Sequence, residues 1–247
     1  MRATCLTLAL LTAAALVSGT AAAQPGEPRV LVFSKTAGYR HESIPDGIDA
    51  VRRLGAEHGF AVESTEDSAV FDDRHLARFD AVVWLSTTGD VLDDTQQRAF
   101  ERYVRGGGGY LGVHAAADTE YDWPFYGRLV GAYFASHPEI QPAVVQVEDA
   151  HHESTAHLPR RWERTDEWYN FRTNPRDGSH VLLSLDESSY RPGDGAMGDH
   201  PIAWCHRVDE GRAFYTGGGH TAESFADPDF RRHLLGGIRT AIGESAC

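Results

Sequence analysis

The stretch Arg29-Val-Leu-Val-Phe-Ser34 is an unbroken β-branched and aromatic run. Such a run, apolar on both sides of the chain, reads as a strand buried on both faces. A polar loop follows, from Lys35 to Ser43. Ile44, Ile48, Val51 and Gly55 then recur at helical spacing. Pro45 suits a first helical turn and Gly59 a C-terminal cap. Phe60 to Ser64 reads as a second strand and Phe79-Asp-Ala-Val-Val-Trp-Leu85 as a third. Asp93 or Asp94 can cap a helix with Ala99, Phe100, Tyr103 and Val104 on one face, and Gly106 to Gly109 end it. Tyr110-Leu-Gly-Val113 is a fourth, glycine-containing strand. Strands alternating with amphipathic helices predict an α/β fold: a mainly parallel sheet with helices on both faces.

The second half is less regular. Trp123-Pro124 opens a short aromatic helix, and Val144 to Val147 and Val181 to Leu185 read as strands. His200 to Val208 and Arg212 to Thr216 form a hairpin pattern around Asp209-Glu210-Gly211. Asp227-Pro228 opens a last helix whose buried face carries Phe230, Leu234, Ile238 and Ile242. With no linker and no repeat, the reading is one domain over 24–247, with an irregular insertion between about 120 and 200.

The chain has 247 residues, 41% hydrophobic and 24% charged, which is a globular composition. Its 23 basic and 36 acidic residues give a net charge of −13. That balance disfavours nucleic acid and anionic membranes as partners. Met1-Arg2, the apolar run Leu6 to Val17 and the small residues Ala21-Ala22-Ala23 have the order of a cleavable secretory signal, residues 1–23. The expectation is a secreted or periplasmic protein starting near Gln24, with an uncleaved anchor as the alternative. No later stretch is long and apolar enough for an integral membrane segment. Cys205 and Cys247 are the cysteines left after cleavage. A disulfide is chemically possible outside the cytosol. Cys205 lies in an apolar run, and the preferred reading is a buried, inert thiol.

Ligands of open α/β sheets bind at the carboxyl ends of the strands. His41 lies in the loop after the first strand. His114 follows the fourth strand directly, with Asp118 four residues on, and His220 follows the last strand in Gly217-Gly-Gly-His220, with Glu223 close behind. These three histidines can converge on one crevice, and His137, in a loop, can reach it. Thr165-Asp-Glu-Trp-Tyr-Asn170 brings Glu167, Trp168 and Tyr169 together. Aromatic faces beside carboxylates suit sugar rings; ordinary core packing is the competing reading, for Trp123 and Trp168 alike. There is no HExxH, EF-hand or paired CxxC, and no Walker-type loop. No cofactor is specified, and a His/Asp/Glu metal site assembled through the fold is left open.

Gly106-Gly-Gly-Gly-Tyr-Leu-Gly-Val-His114, Asp166-Glu-Trp-Tyr-Asn170, His200-Pro-Ile-Ala-Trp204 and Gly211-Arg-Ala-Phe-Tyr-Thr-Gly-Gly-Gly-His220 resemble the trehalose-utilisation (ThuA-like) family. The likeness runs from about Arg29 to Ile242 with the motifs in order. It implies a flavodoxin-like fold of the class I glutamine amidotransferase type. It also implies a link to sugar catabolism, often to 3-keto glycosides made by a partner oxidoreductase. The amidotransferases keep a nucleophilic cysteine on the turn that here reads Gly112-Val-His114, so glutamine hydrolysis has no obvious nucleophile.

Two classes of function follow. One is an enzyme on keto-glycosides or disaccharides, a lyase, hydrolase or isomerase. In that reading His114 is base or ligand, His220 is acid or orienting partner, and Asp118 and Glu167 are supporting carboxylates. His41, His137, Trp168, Tyr169 and Glu223 are the substrate-binding candidates. The other is a non-catalytic carbohydrate-binding protein. A metal-dependent hydrolase is the runner-up enzyme.

Overall fold

The computed structural model describes residues 26–247. The leader expected over 1–23 lies outside the described residues. Strands β1 (Arg29–Phe33), β2 (Ala61–Thr65), β3 (Ala81–Leu85) and β4 (Gly109–Val113) alternate with helices α1 (Ile44–His58), α2 (Asp73–Leu76) and α3 (Asp94–Arg105). Asp93 caps α3 with a full capping box, and Gly59 ends α1 at φ 78°. Next come α4 (Pro124–Val130), β5 (Phe134–Ser136), β6 (Gln141–Val147), β7 (Arg161–Asp166), β8 (Asn170–Phe171) and β9 (His180–Leu185). The chain ends with the hairpin β10 (Pro201–Val208) and β11 (Gly211–Thr216), then α5 (Ala222–Ala226) and α6 (Pro228–Ile242).

Nine strands form one sheet in the order β2-β1-β3-β4-β11-β10-β9-β6-β7, while β5 and β8 pair separately. The first five run parallel, and the rest join by antiparallel pairs. Only β10 and β6 therefore run against the others, and the sheet is mostly parallel. Helices cover both faces. On one face Trp84 is buried against Phe33, Phe71, Phe100 and Tyr126, which come from β1, the α1–α2 region, α3 and α4. On the other, α6 lies so close to β4 that a Cβ on Gly109 would meet the Ala241 carbonyl oxygen. That close approach requires glycine.

The far edge of the sheet coils back. Four strand spacings of about 4.8 Å separate β7 from β11, roughly 19 Å if flat. Yet the Asp166 carboxylate, at the end of β7, accepts from the backbone N–H of Gly219 (2.8 Å) and of His220 (3.0 Å), just beyond β11. The coil wraps α6: the Arg164 guanidinium lies 4.6 Å over the Trp162 ring of β7 and 4.3 Å over Phe230 of α6. Because β7 runs with the parallel strands, its carboxyl end arrives at the same edge as theirs. Within the irregular stretch 120–200, β6, β7 and β9 thus extend the sheet. The sequence carries no strand signal for β7, because Arg161-Trp-Glu-Arg-Thr-Asp166 has no apolar run and only Trp162 and Asp166 are buried.

One expectation is corrected. Cys205 is buried, but it is not a free thiol: it forms a disulfide with Cys247, with Cα atoms 5.7 Å apart. The tail after α6 turns back at Gly243 and brings the last residue to β10. Among the described residues no helix is long and apolar enough to cross a membrane.

Candidate active site at the carboxyl edge of the sheet

Four side chains meet where four strands end: His41 after β1, His114 after β4, Glu167 after β7 and His220 after β11. His114 has φ 51°, in the left-handed region that non-glycine residues rarely enter. Such a turn costs roughly 1–3 kcal/mol and persists where surrounding structure enforces it. Here Tyr215 donates its hydroxyl to the His114 carbonyl at 2.8 Å, and His114 Nδ1 donates to the Gly217 carbonyl at 2.9 Å. The second bond fixes the tautomer, since a carbonyl only accepts, and turns the Nε2 lone pair inward. The His220 loop depends on Gly219, whose φ of 109° suits glycine, and on Asp166, which holds two successive N–H groups. Ser43 Oγ reaches the Gly219 carbonyl at 3.4 Å and ties the His41 loop to it.

The inward atoms form a tight triangle. His114 Nε2 lies 3.1 Å from His220 Nδ1 and 3.4 Å from Glu167 Oε2, and His220 Nδ1 lies 3.0 Å from Glu167 Oε2. His41 completes the set, with one donor atom of each residue within 4.8 Å of all the others. Its Nδ1 is buried without a hydrogen-bond partner. Bonds of about 2.0–2.2 Å to nitrogen and oxygen give a tetrahedron with edges of roughly 3.3–3.6 Å, which these separations approach. Three imidazoles and a carboxylate suit a first-row divalent ion. The His114–Gly217 bond is the outer support that histidine ligands usually have.

Electrostatics favour the same use. Burial, then the neighbouring His114 and His220, push His41 down to about 3, so it is neutral with a free lone pair at pH 7. Burial pushes the Glu167 carboxyl up, but the adjoining His114 and His220 imidazoles prevail and hold it well below the usual carboxylate range. For His220, burial opposes the charged form, and the bond to Glu167 more than offsets it, so the net shift is upward. The second oxygen of Glu167 points elsewhere: Oε1 lies 3.1 Å from His137 Nδ1.

A cavity of about 310 Å³ opens on this cluster, lined by His41, Glu167, His220, Asp118, His137 and Tyr169, with Phe134 and Tyr39 at its sides. Tyr121 donates its hydroxyl to Asp118 at 2.5 Å. Of the sequence candidates, these converge. His114 sits behind the cavity with no exposed surface. Trp168 is buried in the core, its indole N–H donating to the Gln141 carbonyl at 2.9 Å. Glu223 lines a neighbouring cleft. Sequence reasoning missed Tyr39 and Phe134, which are unremarkable loop and edge residues, and Asp166, whose only signal was its place beside Glu167. A larger cavity, about 690 Å³, lies beside the β10–β11 turn between Arg105, Arg128 and His206, away from the strand ends that carry the cluster.

Fold and site together define a flavodoxin-like α/β protein with three histidines and a glutamate gathered at the carboxyl edge of its sheet. The chain belongs to the ThuA, or trehalose-utilisation, family, whose model matches residues 29–241. That membership points to carbohydrate metabolism. No curated protein matches it. A ThuA-like protein from Bacteroides uniformis is 24% identical, with a TM-score of 0.75 over 92% of this chain and 96% of that one. Another from Parabacteroides merdae is 20% identical, with a TM-score of 0.73 over 90% and 92%. An exo-β-1,4-mannosidase from Opitutaceae bacterium strain TAV5 shares the fold at 14% identity and a TM-score of 0.52, over 88% of this chain and 36% of that one.

Proposed function

We propose that this chain is an exported, metal-dependent enzyme that cleaves keto-glycosides. The observation that carries the reading is the convergence of His41, His114, His220 and Glu167, one from each of four strand ends, on the floor of a polar and aromatic cavity. A divalent cation held by these four would supply positive charge for the oxygen of an enolised ketone. His114, buried with Nδ1 committed to Gly217, acts as a ligand. His137 is the base: its Nδ1–H is shared between Glu167 Oε1 at 3.1 Å and the Pro138 carbonyl at 3.0 Å, which leaves Nε2 to take a proton.

A ketone at C3 of a glycoside acidifies the C2 hydrogen. His137 takes that proton, the electron pair forms the C1–C2 double bond, and the C1–O bond breaks. The leaving oxygen takes a proton from water. The hydroxide left behind adds at C1, and His137 returns its proton to C2. The sum is substrate plus water giving a keto sugar and an alcohol. Asp118 and Tyr169 are positioned to hold hydroxyls and ring faces of the sugar.

Export is supported by the leader sequence and by the Cys205–Cys247 bond, which suits an oxidising compartment. Intact-mass measurement of the secreted protein should give a start near Gln24; a soluble pool beginning at Met1 would contradict it. The reaction is tested with purified protein and a 3-keto glycoside. Release of the alcohol, stopped by a chelator and restored by added metal, is expected. Binding without turnover in metal-loaded protein would make this a carbohydrate-binding protein instead.

A further inference from the structure

Among the described residues only two large hydrophobic side chains are exposed, Tyr39 (64%) and Ile140 (47%), and both line one cleft. Single exposed apolar residues need no explanation, but two flanking one depression point to a ligand surface. The cleft measures about 430 Å³ and adjoins the reaction cavity, since Tyr39 and His220 line both. The rest of its lining carries three acids, Glu42 just before α1, Asp46 within α1 and Glu223 of α5. The reaction cavity, at about 310 Å³, is at the small end of ligand sites and holds one ring.

We propose that the Tyr39–Ile140 cleft is the subsite for the leaving half of the substrate, so that the substrate is a disaccharide or a comparably polyhydroxylated glycoside and not a simple alkyl glycoside. This rests on the keto-glycoside reading above. The aromatic and aliphatic side chains offer apolar surface to the C–H face of a second ring. Three carboxylates offer acceptors to its hydroxyls. His220, which lines both spaces, stands where the two halves of the substrate would join. Binding energy from this remote half then serves the chemistry next door.

The test compares a 3-keto disaccharide with the matching methyl 3-keto-glycoside, in the wild type and in an Ile140→Ser, Glu42→Gln double variant. Neither residue lines the reaction cavity. The wild type should favour the disaccharide in kcat/KM by about tenfold or more. The variant should lose that preference through the disaccharide alone, with the methyl glycoside within about twofold of wild type. Equal use of both substrates by the wild type, or a preference that survives in the variant, would overturn the subsite. If neither compound is cleaved, the reaction reading fails by itself. Calorimetric binding of trehalose then decides the subsite: weaker binding by the variant supports it, and unchanged binding overturns it.

Discussion

His114 Nε2 faces His220 Nδ1 at 3.1 Å, although 106 residues separate the two in sequence. His114 already spends its Nδ1 proton on Gly217, so the facing nitrogen is a lone pair. With Glu167 Oε2 beside both, the three atoms enclose a point suited to a cation.

His137 and His114 have different duties, and their variants should differ. His137→Ala is expected to lower turnover of a keto-glycoside by ~10²–10⁴-fold, the typical worth of a general base, with bound metal unchanged. Steady-state rates combined with elemental analysis check this. A variant with normal turnover would remove His137 as base.

Asp166 is the clamp behind His220. It is fully buried and accepts from Gly219, His220, Ser224 and the buried Arg164 guanidinium, the last at 3.0 Å. Asp166→Asn leaves Arg164 without its counter-charge, and breaking a buried pair typically costs ~3–5 kcal/mol. Urea denaturation should register that loss. A change below about 1 kcal/mol would mean that the pair is solvated or replaced.

The disulfide closes a loop of 42 residues containing β11, α5 and α6. A loop of that length corresponds to ~4 kcal/mol of chain entropy, and measured values are often lower, ~2–4 kcal/mol. Reduction should therefore lower the melting temperature by several degrees. Turnover at room temperature should persist, because neither cysteine touches the histidine cluster. An unshifted melting curve after complete reduction would contradict the structural role.

His233 of α6 is fully buried, donating from Nδ1 to the Ser154 carbonyl at 3.0 Å and meeting Thr216 Oγ1 at 3.2 Å. Burial is the main cause that pushes it down to about 3, below the unfolded value of 6.5. The unfolded chain thus binds a proton that the folded one refuses. This group's stability is complete above pH 6.5 and is lost as pH falls towards 3, at roughly 1.4 kcal/mol per pH unit. His233→Gln, which keeps a donor and an acceptor, should flatten that slope in urea titrations between pH 6 and 4. An identical slope would assign the acid sensitivity to other groups.

The parallel half of the sheet was legible because β1, β3 and β4 are apolar runs and α1 and α3 carry clear stripes and caps. Three of the four cluster residues were legible from one rule, that ligands gather at strand ends. Glu167 stands out only by composition, as an acid beside aromatics. Its route to the site depends on the coil that brings β7 around α6, and no local pattern encodes that. The cysteine pairing was hidden for a similar reason: it depends on where the chain's last residue lands. Trp168 and Tyr169 are adjacent and both aromatic, yet one packs in the core and the other lines the cavity. They lie in irregular chain between β7 and β8, where no periodic pattern assigns a side chain to one face.

The central claim is that His41, His114, His220 and Glu167 hold one divalent ion. Its most direct test is the metal content of protein purified without chelator, measured per folded chain for the wild type and for His114→Ala. The account requires close to one equivalent in the wild type and a small fraction of that in the variant, with the variant still unfolding cooperatively. Equal content in the two proteins, or a wild type that binds no divalent metal even after incubation with excess, would contradict it.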